Sequence, residues 1–194
     1  VMQDVIAVCL GIGLSAACGF RVFVPLLATS ILALTGQVKL AEGLAWMGTY
    51  PALIAFASAT TLEIAAYYIP WLDHALDTIA TPAAVIAATL ITGALITDLP
   101  PMLKWTLAII AGGMPASIIQ GGTVLLRAKS TLFTGGFGNF LVATSELLGA
   151  ILTSVFAIVL PLVTGLLVLA ISLLLVIMFG RKVFNRGKQR PASP

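Results

Sequence analysis

Three charged side chains stand where charge is expensive. Arg21 is the one charge between Val5 and Val38, Glu63 lies within TTLEIAAYYIP, and Glu146 lies within ATSELLGAIL. A charge at the centre of a bilayer costs about 2.5–3.5 kcal/mol even on a lenient insertion scale. None of the three has a neutralising neighbour within a helical turn. Each is therefore expected to face the protein interior and to find a partner on another helix, with Arg21 pairing with Glu63 or Glu146. Such a set can form a proton- or cation-coupled site or hold a solute. The same pairing can instead be a buried ion pair that fixes helix order, and long side chains can snorkel to an interface.

Tyr67 follows Glu63 by four residues and shares its helical face, so its hydroxyl could reach the carboxylate. Asp73 and Asp77 are again four apart, with His74 between them. Carboxylates and an imidazole at this spacing can ligate a metal. No second ligand set exists in the sequence, however, so the expectation is a solvated acidic connection and no metal. His74 is the only histidine, which rules out a histidine cage. There is no G-x-S-x-G elbow, Walker A loop or H-E-x-x-H, and no nucleophile–base set. No catalytic residue, no cofactor and no enzymatic activity are expected. The glycines of 134–139 (TGGFGN) read as a turn, with Asn139 placed to cap the next helix.

The elements that carry these residues follow from composition. Of the 194 residues, 60% are hydrophobic and 9% charged, and the mean hydropathy is +1.12. Soluble domains carry about 25% charge. This excludes a cytosolic enzyme, a nucleic-acid binder and a disordered regulator, and leaves an all-α polytopic membrane protein. Cys9 and Cys18 lie in an apolar stretch and are expected as reduced, buried thiols. No basic region precedes the first apolar run, so a cleaved signal peptide is not expected.

A span needs about 20 residues. The apolar stretch after Val5 is too long for one span and is interrupted by Gly19, Arg21 and Pro25. Two legs of roughly 15 residues, each about 22 Å long, fit a re-entrant hairpin over 4–36 or two short tilted helices. Spans follow at 51–70 and 82–97, completing a first repeat over 1–98. The second repeat, 99–180, follows the same plan: a hairpin over 102–133 broken at Gln120, Gly121 and Gly122, then spans at 140–160 and 161–179 divided by Pro161. Eight of the 24 positions from 13 to 36 are identical at an offset of 100, among them Gly13/Gly113, Ala16/Ala116 and Gly36/Gly136. Gly11, Ser15 and Gly19, like Gly113, Ser117 and Gly121, are spaced by four, as close helix packing in lipid requires.

Half of the ten Lys and Arg residues fall in 181–194 (Arg181, Lys182, Arg186, Lys188, Arg190). A basic cluster after an apolar run marks a cytoplasmic tail, or a contact for anionic lipid or a partner. With both broken segments as hairpins, Lys39, Lys104, Arg127 and Lys129 fall inside, while Asp73, His74 and Asp77 fall outside. With single-span segments, Lys39 and Lys104 move outside and the halves become inverted, an arrangement common in transporters.

Three blocks resemble a bacterial family of small integral membrane proteins known as a domain of unknown function. They are G-x-R before Pro25, then E-x3-Y-x2-P-x2-D-x3-D from Glu63 to Asp77, then N-x6-E from Asn139 to Glu146. The resemblance spans about residues 11–161. It departs at Phe140, where the family has proline, and at Thr81, where it has a basic residue. It implies the membrane fold and the choice of polar residues, and no activity. The resulting expectation is a small channel or secondary transporter in a bacterial inner membrane, for an ion or a small polar or anionic solute. Its site would lie between the two broken segments near the midplane. Arg21 and Gln120 would select the solute, Glu63 and Glu146 would balance or couple charge, and Tyr67 and Asn139 would line the path. The partners are lipid and solute, no nucleic acid, and a homo-oligomer is compatible with the chain. The alternative is a non-transporting scaffold or assembly subunit. A lipid scramblase or an intramembrane enzyme fits less well.

Overall fold

The computed structural model describes residues 2–188, apart from the side chains at 3–4, 70–71, 73–75, 179–180 and 182–188. The described residues form eight α-helices and no strand: α1 (Met2–Cys18), α2 (Phe23–Leu34), α3 (Tyr50–Tyr67), α4 (Pro70–Leu95), α5 (Pro101–Leu107), α6 (Met114–Thr134), α7 (Asn139–Val159) and α8 (Pro161–Lys188). A 3-10 helix, Glu42–Gly48, precedes α3, and a π-helical turn, Ala108–Gly113, joins α5 to α6.

Among the described residues, four segments are long and apolar enough to cross a membrane: Leu76–Leu95, Pro101–Thr134, Asn139–Val159 and Pro161–Met178. The protein is therefore read as an integral membrane protein. Helix α3, expected to span, is not among the four. Thr60, Thr61 and Glu63 dilute its apolar character.

Helix α1 is the centre of the bundle and packs against α4, α6, α7 and α8. Every residue from Cys9 to Gly19 is buried, as a helix apolar on all sides demands. Close approach is built on small residues. A Cβ at Gly19 would lie 2.7 Å from the Ala116 carbonyl oxygen of α6, and one at Gly165 would lie 2.7 Å from Cys9. By contrast, Gly121 has open space around it, so the spacing of Gly113, Ser117 and Gly121 is not one packed stripe.

The first apolar segment is broken at Gly19–Val22, between α1 and α2. The outer end of α1 and the connection that follows α2 both lie beside the C-terminal end of α4. Val5 and Val8 share a cavity with Ile96 and Leu99, and the Ala41 N–H donates to the Ala94 carbonyl at 2.8 Å.

The second segment corrects the expected hairpin over 102–133. It is one helical run, Pro101–Thr134, unbroken at Gln120–Gly122. In lipid, a backbone that leaves the helix loses its hydrogen-bond partners, so glycines alone do not break it. The irregularity falls earlier, at the π-turn, because the ring of Pro115 would clash with the carbonyl of Ala111 in a regular helix.

The stretch 71–81 also differs from the expected connection. It forms the first turns of α4, which begins at Pro70 and continues through Pro82. Proline is tolerated at the first helical position, and Thr81 Oγ1 donates back to the Asp77 carbonyl at 3.0 Å. Residues 181–188 of the expected tail continue α8, and 189–194 lie outside the described residues. Cys9 and Cys18 are both buried and unbonded.

A buried two-arginine cluster as candidate functional site

Four helices bring their polar faces to one point. On α3, Glu63 and Tyr67 are one turn apart and both buried. On α6, Gln120, Thr123 and Arg127 are buried on one side of the helix. On α7, Asn139, Val142, Ala143 and Glu146 form a buried stripe. Asp77 projects from the second and third turns of α4, and the break between α1 and α2 supplies Arg21.

Glu146 is the hub. It accepts Arg127 Nε at 3.1 Å on Oε1 and Arg127 Nη2 on Oε2, a two-pronged pairing that suits a planar guanidinium. Arg21 Nη2 lies 3.6 Å from Glu146 Oε2 and donates to the Ala143 carbonyl at 2.8 Å. Arg127 Nη1 meets Asp77 Oδ1 at 2.9 Å. The Tyr67 ring packs against both cations, with the Arg21 guanidinium carbon 3.8 Å and the Arg127 carbon 4.1 Å from its centroid. An aromatic face so placed attracts a desolvated cation. Arg21 is 1% exposed, and Arg127 and Glu146 are each 2% exposed. Two like charges this deep are tolerable only because carboxylates and a ring share them.

Glu63 has a different task. Its Oε1 accepts the Val22 N–H at 2.8 Å and its Oε2 accepts the Phe23 N–H at 3.1 Å. These amides open α2, which has no side-chain cap of its own. A carboxylate at a helix N-terminus satisfies orphan donors and complements the dipole. Arg21 thus pairs with Glu146 and not with Glu63, and Tyr67 offers its ring to the cations rather than its hydroxyl to Glu63. Asn139 does not cap α7. It is the first residue of that helix, and its Nδ2 donates to Thr131 Oγ1 at 3.1 Å.

Gln120 is buried on α6 one turn beyond Ala116, where the first break packs through Gly19. The side chains of Asp73 and His74 lie outside the described residues. Among the described residues, no three His, Cys, Asp or Glu side chains converge as a metal site would need.

Two corrections concern Arg127 and Asp77. By its place in the charge pattern Arg127 reads as a topology marker beside Lys129, yet it is the most heavily bonded cation of the cluster. The hairpin topology put Asp77 and Arg127 on opposite sides of the membrane, and a 2.9 Å contact overturns it. The available signal was the stripe Gln120, Thr123, Arg127 and Thr131, one face of a helix.

The cluster borders two openings. A cleft of about 590 Å3 between α4 and α6 is lined by Asp77, Thr78, Thr81, Arg127 and Thr131. A second, of about 230 Å3, lies beneath the glycine-rich turn against Tyr67, Tyr68 and Asn139. In that turn Gly135 and Gly136 have φ of 64° and 95°, the left-handed region that glycine adopts freely. Asp77, with its side chain 14% exposed, joins the cleft to the buried arginines.

Comparison with curated proteins gives no match, and comparison with solved structures gives none either. A family model does match, over residues 8–181, nearly the whole chain. The matched range takes in the segments that build the cluster, around Arg21, from Glu63 to Asp77 and from Asn139 to Glu146, and the chain belongs to the family described as Domain of unknown function (DUF4126).

Proposed function

We propose that this protein is a small channel or secondary transporter for an ion or a small polar or anionic solute, with the two-arginine cluster as its selective site. The observation that carries this reading is the state of Arg21. Its side chain is fully buried, yet Nε and Nη1 have no hydrogen-bond partner among the described residues. A charged group left with unmet donors in a dry interior is costly. An ion pair that served only to hold helices together would gain from closing those donors with a carbonyl or a second carboxylate. The cleft beside Asp77 and Arg127 supports an aqueous approach to the cluster, and the unmet donors of Arg21 favour a solute that brings hydrogen-bond acceptors, as an anion or a polar oxygen does. In this reading α1, the break and α2 form a re-entrant hairpin, the membrane is a bacterial inner membrane, and the basic end of α8 lies in the cytoplasm. The continuous run Pro101–Thr134 then puts Asp77, Arg127 and the glycine-rich turn toward the cytoplasmic side.

Purified protein in proteoliposomes tests the proposal, with influx of chloride, phosphate, acetate and rubidium followed separately. Arg21→Gln should abolish flux of the accepted solute, whereas Arg21→Lys should keep its sign preference at reduced rate. Absence of flux for all four solutes, together with a large loss of thermal stability in Arg21→Gln, would favour a scaffold role instead.

A further inference from the structure

At the end of α4 remote from the arginine cluster, two cavities adjoin. One, of about 320 Å3, is lined by Val5, Val8, Cys9 and Ile12 of α1, Leu95 and Ile96 of the α4 end, and Leu169 of α8. The other is a cleft of about 570 Å3 between the 3-10 helix and the start of α5, lined by Glu42, Asp98, Lys104 and Trp105. Thr97, Asp98 and Leu99 line both. An apolar chamber thus continues into a charged one.

Trp105 lines the charged cleft, and Trp46, in the 3-10 helix that walls it, and Tyr50, two residues beyond that helix, are exposed aromatic side chains too. Tryptophan and tyrosine settle at the level of lipid headgroups, which puts the charged cleft at that depth and the apolar cavity on the hydrocarbon side. Among the described residues, Lys104 makes no ion pair with Glu42 or Asp98. It lies over the Trp105 ring at 5.6 Å, and Asp98 accepts a hydrogen bond from Thr97 Oγ1 at 2.9 Å. The cleft therefore presents one cation and two carboxylates that are not spent on each other.

We infer that the two cavities together bind a phospholipid with a primary-amine headgroup, phosphatidylethanolamine. Lys104 takes the phosphate, Asp98 and Glu42 take the ammonium, and one acyl chain fills the 320 Å3 cavity. The carboxylates provide the selectivity. A primary ammonium donates hydrogen bonds to them, a quaternary choline has no N–H to donate, and a phosphatidylglycerol headgroup brings no positive charge. The site is independent of the transport reading.

Native mass spectrometry of the full chain, released from detergent with equimolar phosphatidylethanolamine, phosphatidylcholine and phosphatidylglycerol, tests it. Phosphatidylethanolamine should be retained in preference to both others. Asp98→Asn should weaken that retention about tenfold, the factor for one charge-assisted hydrogen bond. Val5→Trp, which puts an indole at the apolar cavity, should lower retention at an unchanged melting temperature. If Asp98→Asn does not fold, Glu42→Gln, at an exposed position on the same cleft, takes its place. Equal retention of the three lipids, meaning an unselective lipid annulus only, would overturn the proposal. So would preferential retention that survives the carboxylate substitution.

Discussion

Replacing Glu63 with glutamine separates a cap from a carrier of protons. In the native chain both carboxylate oxygens are occupied, by the Val22 and Phe23 amides at 2.8 and 3.1 Å. Glutamine keeps the volume but offers one oxygen, and its amino group would face the second backbone donor. One hydrogen bond to a charged acceptor is lost, about 1.5–3 kcal/mol. The favourable charge at the start of α2 is lost as well, about 0.3–1 kcal/mol. The combined cost of about 2–4 kcal/mol corresponds to a melting point lower by about 5–15 °C for a chain of this size. Thermal unfolding in detergent reads this directly with a thiol-reactive dye, since Cys9 and Cys18 are buried and free. Glu63→Asp, which keeps two oxygens on a shorter stem, should recover part of the loss. A Glu63→Gln protein that melts with the wild type, while its flux loses pH dependence, would refute the capping argument and make Glu63 a coupling residue.

Two further outcomes follow from the cluster and its topology. Arg127→Met should destabilise by about 3–5 kcal/mol, because it strips the buried Glu146 of its two-pronged partner. The double variant with Glu146→Gln should recover much of that loss in the same melting assay, and additive losses would contradict a shared pair. Cysteines at Thr78 and Phe137 should label from one side of sealed vesicles, and a cysteine at Lys104 from the other. Labelling of positions 104 and 137 from the same side would contradict the single run Pro101–Thr134.

The class of this protein was legible from composition alone, because so little charge cannot cover a water-facing surface. Local chemistry also marked several boundaries. Gly19, Arg21 and Pro25 announce the break after α1, and Pro161 starts α8 because a proline ring sits best at the first helical turn. The isolation of Arg21 and Glu146 in apolar runs foretold that each would need a partner from elsewhere in the chain, and they lie 3.6 Å apart.

The identity of the remaining partners belonged to the tertiary structure. Arg127, two residues from Lys129, has the same local sequence signature as a loop cation. Only the packing of α6 against α4 and α7 turns it inward, to Asp77 across 50 residues and to Glu146 across 19. Glu63 looked like a counter-ion for Arg21, but the nearest orphan donors to its carboxylate are the amides at the α2 start. Which donors those would be depends on where the broken segment docks. Likewise, Gly121 and Gly122 looked like a break, yet with no water to satisfy a freed backbone the helix runs on, and Pro115 displaces the irregularity to the π-turn before it. Charge and hydropathy are properties of positions along the chain. Pairing, capping and helix continuity depend on what the neighbouring helix leaves unsatisfied.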